Sequence, residues 1–222
     1  MEWWLILIVV LGSLAISFLL VVLFYRQFTK RFCEIIGSLL LLLILWFPML
    51  IIAIAIKCDS KGPVLFKQER MGRNKKLFKI YKFRSMCDHA YEKGGIASSE
   101  EDSRITKVGK FLRKTSLDEL PQLINIFLGQ MSVIGPRPVL GWEYEEYAKN
   151  EYELRFNVRP GMFCTVDVDY RASASRELQF QMDAEYAKKM SFWLDAKTFF
   201  KVIKTVVTGK NVYKEENNNG NN

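Results

Sequence analysis

The sequence predicts a mainly α-helical protein of the α+β class, with small β-hairpins, two membrane helices and one membrane-associated globular domain. Two uncharged apolar runs, residues 3–24 and residues 35–56, come first, and a charged region of mixed composition begins at Lys57. Each run has the roughly 20 residues that a helix needs to cross the hydrocarbon of a bilayer. The chain has 222 residues, so the part beyond the two runs is long enough for one ordinary domain with amphipathic helices.

The first apolar run is predicted to be a transmembrane helix within residues 1–26. Only Glu2 precedes the run, whereas Arg26, Lys30 and Arg31 follow it. Basic residues mark the cytoplasmic side of a membrane helix, so we expect the N-terminus outside and residue 26 inside. A signal peptide is the alternative, but signal peptides begin with a basic segment and have a shorter apolar core.

The second apolar run has basic residues on both of its sides. Residues 57–84 contain ten Lys and Arg and only two acidic residues. Because both flanks then belong on the cytoplasmic side, residues 32–57 are predicted to form a re-entrant helix. The predicted break lies near Pro48, where the helix loses a backbone donor. The alternative is a kinked helix that crosses the membrane, which would place the basic domain outside.

The cytoplasmic domain is predicted over residues 58–210, followed by a disordered asparagine-rich tail at 211–222. Residues 64–70 and 77–84 alternate apolar and basic residues on either side of a turn, which predicts a β-hairpin. Apolar residues at helical spacing predict further helices at 105–114, 116–128, 142–155 and 183–208.

Cysteine and histidine usage argues against several classes of site. The four cysteines lie far apart without a C-x-x-C spacing, which predicts free thiols in a reducing compartment. His89 is the single histidine, so a His-rich metal site or a Ser-His-Asp triad is not expected. We find neither the phosphate-binding pattern G-x-x-x-x-G-K-[ST] nor the dinucleotide-binding pattern G-x-G-x-x-G.

Asp118 and Glu119 stand side by side in the stretch TSLDELPQL, at the start of a predicted helix. Ser116 and Glu119 have the spacing of a capping box, in which a serine and a glutamate satisfy the first backbone N–H groups. Acidic residues also suit the positive end of the helix dipole. This structural role explains Ser116 and Glu119, and it does not require Asp118.

Basic residues surround this carboxylate pair in a chain whose net charge is +8. Arg113 precedes the pair, and Arg137 follows it between two prolines that would hold its backbone. A guanidinium group is well shaped for bidentate contacts with phosphate. Carboxylates beside fixed arginines are the groups that phosphoryl chemistry with a magnesium ion uses.

Five segments of the chain resemble one family of membrane enzymes. They are KGPVLFKQERMGRN, FKIYKFRSM, the stretch from Asp102 to Pro138, RPG and SFWLD. The chain from Arg31 to about Val207, about four fifths of the total, resembles the small bacterial sugar transferases, the monotopic polyprenol-phosphate phosphoglycosyl transferases. The resemblance implies transfer of a phosphosugar from a UDP-sugar to undecaprenyl phosphate with release of UMP. It also implies a re-entrant membrane helix and a catalytic domain on the cytoplasmic face of the bacterial inner membrane.

The same resemblance implies a role for individual residues. Asp118 would be the nucleophile that forms a covalent phosphosugar intermediate, as in other covalent catalysis. Glu119 would either position magnesium or accept a proton, and Asp118 and Glu119 are the expected Mg²⁺ ligands. The residues expected to bind substrate or phosphate are Lys82, Arg113, Arg137, Arg171 and Asp195. The expected partners are a UDP-sugar, undecaprenyl phosphate and inner-membrane lipids, and not nucleic acid.

This chain departs from the family pattern at two places. Phe47 stands before Pro48 where the family usually has serine, and residues 162–175 differ from the usual sequence after RPG. That loop is expected to help recognise the sugar or the nucleotide. Because its sequence is unusual, no sugar is predicted. Two other functions are alternatives: an inactive membrane scaffold of a glycan assembly complex, and a binder of nucleic acid or anionic lipid through residues 57–84.

Overall fold

The computed structural model describes residues 3–88, 90, 102–147, 150–166, 170 and 174–208. The predicted disordered tail, His89 and Arg171 lie outside these residues. Helices and two small sheets make up the described part, which confirms the predicted mainly helical class with little β-structure.

The helices are α1 (Trp3–Leu23), α2 (Lys30–Asp59), α3 (Lys107–Thr115), α4 (Gln122–Phe127), α5 (Gly141–Tyr147), α6 (Arg176–Lys189) and α7 (Phe192–Thr208). The strands are β1 (Leu65–Met71), β2 (Leu77–Phe83), β3 (Ser132–Ile134) and β4 (Gly161–Phe163). A π-helical turn at Tyr25–Thr29 joins α1 to α2, and 3₁₀ turns occupy Arg73–Lys75, Leu117–Glu119 and Asn150–Asn157.

By length and composition, α1 and α2 are both able to cross a membrane. No residue of α1 is buried, whereas one side of α2 packs along the globular domain. Leu42 and Leu45 of α2 contact a core formed by residues of β2 and α4, and Ile56 joins a second core with residues of β2 and α3. The polar residue Glu34 is buried where the beginning of α2 meets β3, and it accepts hydrogen bonds from Ser132 Oγ and the Val133 N–H.

Helix α2 continues through Pro48 as one helix of 30 residues, so it is not interrupted where the sequence predicted a break. A proline removes one backbone hydrogen bond and can bend a helix without ending it. Leu45 before the proline and Met49 and Ile52 after it all pack against the domain. This packing stabilises helical structure on both sides of Pro48.

The two ends of α2 contact the same globular domain. Near the first end, the Arg31 guanidinium donates to the carbonyls of Ile126 and Phe127 at 2.6 and 2.8 Å. At the second end, the Asp59 carboxylate accepts a hydrogen bond from the Val108 N–H at 2.9 Å. The domain therefore lies alongside α2 over the length of the helix.

The predicted β-hairpin is confirmed, and the second sheet differs from the prediction. Strands β1 and β2 pair antiparallel from Leu65 opposite Phe83 to Met71 opposite Leu77. Strands β3 and β4 form a parallel pair instead of another hairpin. Parallel strands need a long crossover, and here α5 and a 3₁₀ turn provide it. Strands of three residues are too short to show the alternation that predicts a strand.

Three of the predicted helices are divided in the structure. The predicted helix at 116–128 is a 3₁₀ turn followed by the short α4, and the one at 142–155 is α5 followed by a 3₁₀ turn. The predicted helix at 183–208 spans the end of α6 and all of α7, with a break at residues 190–191. Apolar spacing alone does not show these breaks because the pattern continues across them.

Candidate active site

The carboxylate pair lies on the 3₁₀ turn between α3 and α4, and not at the first turn of a long helix. Ser116 ends α3 in the left-handed conformation, with φ of 57°. Its side chain makes no capping hydrogen bond, so the capping box that the sequence suggested is absent. The chain then turns sharply through Asp118 and Glu119 before Pro121 leads into α4.

Lys82 on strand β2 forms an ion pair with Glu119, with 2.6 Å between Nζ and Oε1. Hydrogen bonds between α4 and the backbone of β2 bring Lys82 close to Glu119. The fully buried Asn125 accepts a hydrogen bond from the Tyr81 N–H at 3.0 Å and donates one to the Lys79 carbonyl at 2.8 Å. One side chain of α4 is therefore bonded to the backbone of β2 immediately before Lys82.

The two carboxyl groups have opposite pKa shifts. Burial, followed by the neighbouring Glu119 charge, raises the pKa of Asp118 to about 6 against the weaker opposing charges of Lys82 and Arg113. Burial would also raise the pKa of Glu119, but the charge and hydrogen bond of Lys82 together with the charge of Arg137 lower it overall. Glu119 therefore stays ionised. Ionising Asp118 as well costs free energy, because it adds a second negative charge to the same site.

Arg113 is positioned by Ser85, which follows strand β2. The Arg113 Nε donates to Ser85 Oγ at 3.0 Å, and the Thr106 N–H donates to the Ser85 carbonyl at 3.1 Å. Gly109 allows α3 to approach this backbone, because a Cβ at residue 109 would overlap the Ser85 carbonyl. The glycine is needed here for close approach.

Of the residues predicted to bind substrate or phosphate, Lys82, Arg113 and Arg137 come together around the carboxylate pair. Lys82 and Arg113 act on the pKa of Asp118, and Lys82 and Arg137 act on that of Glu119. The Arg137 side chain is exposed to solvent, and Pro136 and Pro138 flank it as predicted. Three cations are therefore near enough to lower the pKa of Asp118 or Glu119, and both carboxylate side chains are partly exposed.

Asp195, also predicted to bind substrate, lies in a buried network at the junction of α1 and α2. It is 5% exposed and accepts hydrogen bonds at 2.6 Å from Lys30 Nζ, the Tyr25 hydroxyl and the Tyr186 hydroxyl. Burial and this carboxylate raise the pKa of Tyr186 above its usual range, so its hydroxyl stays protonated and donates. These contacts anchor α7 to the start of α2.

Two residues that support the site were missed by the sequence analysis. Asn125 stands between the apolar residues Ile124 and Ile126. A polar residue within such an apolar run could have predicted a buried hydrogen-bonded side chain. Ser85 lies between a strand and a loop, where serine is common, so the sequence gives no sign that it contacts Arg113.

The carboxylate pair offers the oxygen ligands that magnesium prefers. Within the described ranges, no group of three or more His, Cys, Asp and Glu residues could hold a metal ion. Magnesium in phosphoryl-transfer sites usually takes one or two carboxylates, with the remaining positions filled by water and substrate phosphates. The raised pKa of Asp118 beside Glu119 is the electrostatic situation that a divalent cation would relieve. Asp118 and Glu119 therefore fit a magnesium ion shared with a phosphate substrate.

Comparison with known proteins identifies the family. The family model for the bacterial sugar transferases matches residues 25–209. The chain is 40% identical over 191 residues to a UDP-glucose:undecaprenyl-phosphate glucose-1-phosphate transferase of Klebsiella pneumoniae, covering 83% of this chain and 41% of that protein. It is 38% identical over 187 residues to a UDP-N-acetylgalactosamine-undecaprenyl-phosphate N-acetylgalactosaminephosphotransferase of Aeromonas hydrophila, covering 82% and 44%.

A relative of more similar length is the exopolysaccharide production protein PSS of Rhizobium leguminosarum bv. phaseoli. It is 49% identical over 140 residues, which cover 60% of this chain and 70% of that protein. By contrast, the chain spans less than half the length of the Klebsiella and Aeromonas relatives. The match of the family model over residues 25–209 includes the carboxylate pair and the three cations around it. The chain therefore belongs to the bacterial sugar transferase family.

Proposed function

We propose that this protein transfers a phosphosugar from a UDP-sugar to undecaprenyl phosphate and releases UMP. The observation that supports this most directly is the placement of Lys82, Arg113 and Arg137 around Asp118 and Glu119. Both substrates carry phosphate groups, which the cations would attract and orient. The named relatives from Klebsiella and Aeromonas act on a UDP-sugar and undecaprenyl phosphate.

In the first step, an oxygen of the Asp118 carboxylate attacks the β-phosphorus of the UDP-sugar. The bond between that phosphorus and the oxygen bridging to the α-phosphate breaks, and UMP leaves with this oxygen and the bonding electron pair. The product is a phosphosugar bound covalently to Asp118. A pKa of about 6 leaves this carboxylate mainly ionised at neutral pH, as a nucleophile requires.

In the second step, a phosphate oxygen of undecaprenyl phosphate attacks the phosphorus of the intermediate. The bond from that phosphorus to the Asp118 oxygen breaks, which regenerates the carboxylate and forms undecaprenyl diphosphate sugar. Lys82, Arg113 and Arg137 stabilise the negative charge on the phosphate oxygens in both steps. Dividing the transfer into two displacements lets each acceptor and leaving group use the same site in turn.

Glu119 and Asp118 would hold a magnesium ion when the donor is bound, and that ion would neutralise charge on the diphosphate. Glu119 is suited to this because its lowered pKa keeps it ionised. Its ion pair with Lys82 places a cation on the side of Glu119 that faces β2. A role for Glu119 as a base that accepts a proton from undecaprenyl phosphate is the alternative assignment.

The proposed location is the cytoplasmic face of the bacterial inner membrane, with α1 crossing it. Both ends of α2 would lie on the cytoplasmic side, which requires this uninterrupted helix to bend at Pro48 and not to break there. The contacts of both ends of α2 with one domain support a helix whose two ends lie on the same side. The acceptor is a membrane lipid. Leu117 and Leu120, on either side of the carboxylate pair, pack in one core with residues of α2, which supports a site close to the membrane. No sugar is proposed, because the two relatives use different sugars.

UMP release tests this function. Purified full-length protein in detergent, with magnesium and undecaprenyl phosphate, is assayed with a panel of UDP-sugars beside Asp118→Asn. We expect release with at least one sugar and its loss in the variant. With donor alone, the wild type should also retain labelled phosphosugar on the protein. Release by the variant at the wild-type rate would reject Asp118 as the nucleophile, and no release by the wild type would favour the inactive scaffold.

A further inference from the structure

The backbone of Arg137 is held on both sides by one buried ion pair. Asp183 of α6 and Arg155 of the 3₁₀ turn Asn150–Asn157 lie 2.6 Å apart, with side chains that are each 1% exposed. Asp183 Oδ2 accepts a hydrogen bond from the Arg137 N–H at 3.3 Å. Arg155 Nη2 donates one to the Arg137 carbonyl at 2.8 Å. The ion pair therefore makes hydrogen bonds with both the N–H and the carbonyl of Arg137.

Stability alone gives no clear reason for this buried pair. Removing two charges from water costs free energy, and apolar residues of similar volume often replace a buried pair without loss of stability. The Arg155 guanidinium lies 3.9 Å from the centroid of the Phe180 ring and 5.4 Å from that of Phe156. The site could thus be filled with apolar side chains, but these could not bond the Arg137 backbone.

We propose that Arg155 and Asp183 are positioning residues that fix the backbone of Arg137, so that its guanidinium meets the phosphate groups of the donor. The inference rests on the proposed function, in which Arg137 binds phosphate. It extends that function to two residues far from the carboxylate pair in sequence.

The flanking prolines and the ion pair fix different parts of the Arg137 backbone. Pro138 restricts the conformation of the residue before it, and Pro136 has a fixed φ of its own. Neither proline fixes the orientation of the two peptide groups at Arg137 relative to α6. The hydrogen bonds to Asp183 and Arg155 do this. A displacement of about 1 Å in a positioning group can lower a reaction rate by about 100-fold.

The test is the double variant Arg155→Met/Asp183→Leu in the full-length protein. It removes both charges together, so neither is left buried and unpaired. We expect a melting temperature close to that of the wild type and a fall of about 10- to 100-fold in kcat/KM for UMP release. In an Arg137→Ala background, the same double change should cause no further loss, because the group that it positions is already absent.

A matched control is Lys75→Met/Glu153→Leu, which removes the ion pair of 2.7 Å between Lys75 and Glu153. Glu153 belongs to the same 3₁₀ turn as Arg155, and the two side chains are 43% and 34% exposed. This variant should keep the wild-type rate. The inference is overturned if Arg155→Met/Asp183→Leu keeps the wild-type rate, or if its loss multiplies with that of Arg137→Ala. The absence of UMP release by the wild type with every donor would instead reject the proposed function and the inference with it.

Discussion

Lys82 Nζ lies 2.6 Å from Glu119 Oε1, so a residue of the β-hairpin is paired with one member of the carboxylate pair. The two side chains are 29% and 28% exposed. Ion pairs with such access to water contribute about 0–1 kcal/mol to stability. This contact therefore matters mainly because it holds a cation beside the two carboxylates, where the phosphate groups of the substrates are predicted to bind.

Lys82→Met should remove most of the activity and leave the fold intact. The variant loses the ammonium group that would stabilise charge on the transferred phosphate, and removing one such group usually costs about 100- to 1,000-fold in rate. UMP release and thermal melting measure the two effects. Lys79→Met is the control, because Lys79 is exposed on the same strand. Equal activity of Lys82→Met and Lys79→Met would exclude a role for Lys82 in the reaction.

Asp118→Asn should raise stability at neutral pH when magnesium is removed with EDTA. The pKa of Asp118 is raised from 3.8 to about 6 in the folded protein, so the folded state binds more protons than the unfolded state between these values. The free energy of unfolding then falls as the pH rises from about 4 to 6 and stays low above 6. A shift of this size corresponds to about 3 kcal/mol at most, and partial exposure reduces it.

Melting temperatures of both proteins from pH 4 to pH 8 measure this effect. The variant should melt higher than the wild type at pH 7.5. The two melting temperatures should approach each other as the pH falls to 4, where Asp118 is protonated in the folded state and partly protonated in the unfolded state. A constant difference across the range would show that the carboxyl group is not destabilised by ionisation. Added magnesium should reduce the advantage of the variant, because the cation stabilises the ionised wild-type pair.

The features that the sequence predicted well depend on residues close together in the chain. The apolar runs, the alternation in the hairpin and the helical spacing before Thr115 are local patterns, and each appears in the structure. The turn at Ser116 was not predicted, because a left-handed serine leaves no apolar pattern. The breaks in the predicted helices at 142–155 and 183–208 were not predicted for a similar reason, because the apolar pattern continues across them.

The contacts that arrange the site join residues distant in sequence, which periodicity cannot pair. Asp195 and Lys30 are 165 residues apart, and Asp183 lies 46 residues from the arginine whose N–H it accepts. The resemblance to the family placed Asp118, Glu119 and their cations in one site, and the structure brings them together. The resemblance also implied that Asp195 contacts substrate. In the structure Asp195 lies in a buried network with Lys30, and its contact with substrate stays a prediction.

Gly109→Ala should lower both stability and activity. The added methyl group would overlap the Ser85 carbonyl, so α3 must move away from the end of β2. That movement stretches the hydrogen bond of 3.0 Å between Arg113 and Ser85 and displaces the guanidinium from the carboxylate pair. Overpacking of this kind typically costs about 1–3 kcal/mol. Gly141→Ala is the control, because its added methyl group meets no atom within 4 Å beyond its chain neighbours and its own helix backbone.

Thermal melting and the KM for the UDP-sugar measure the two consequences of Gly109→Ala. We expect a lower melting temperature and a higher KM, whereas Gly141→Ala should change neither. An unchanged KM together with a lower melting temperature would show that Arg113 holds its position independently of α3 packing.

Asp195→Asn should destabilise the protein without weakening donor binding by the folded molecules. The change leaves the Lys30 ammonium, which lies 2.6 Å from Asp195, without its buried counterion. Breaking a buried pair by removing one partner typically costs about 3–5 kcal/mol. The double variant Lys30→Met/Asp195→Leu should recover part of this loss. A raised KM for the UDP-sugar at unchanged stability would instead support the substrate contact that the family resemblance implied.

Cysteine labelling should place both ends of α2 on the same side of the membrane. Cys33 and Cys58 lie near the two ends of the helix, and both are exposed. Because the two ends contact one domain, single-cysteine proteins that keep either residue should resist a membrane-impermeant maleimide in intact cells. Both should react after the cells are lysed. Trp3→Cys in a protein without other cysteines is the positive control, since residue 3 is exposed and expected outside. Labelling of Cys58 but not Cys33 from outside would show that α2 crosses the membrane.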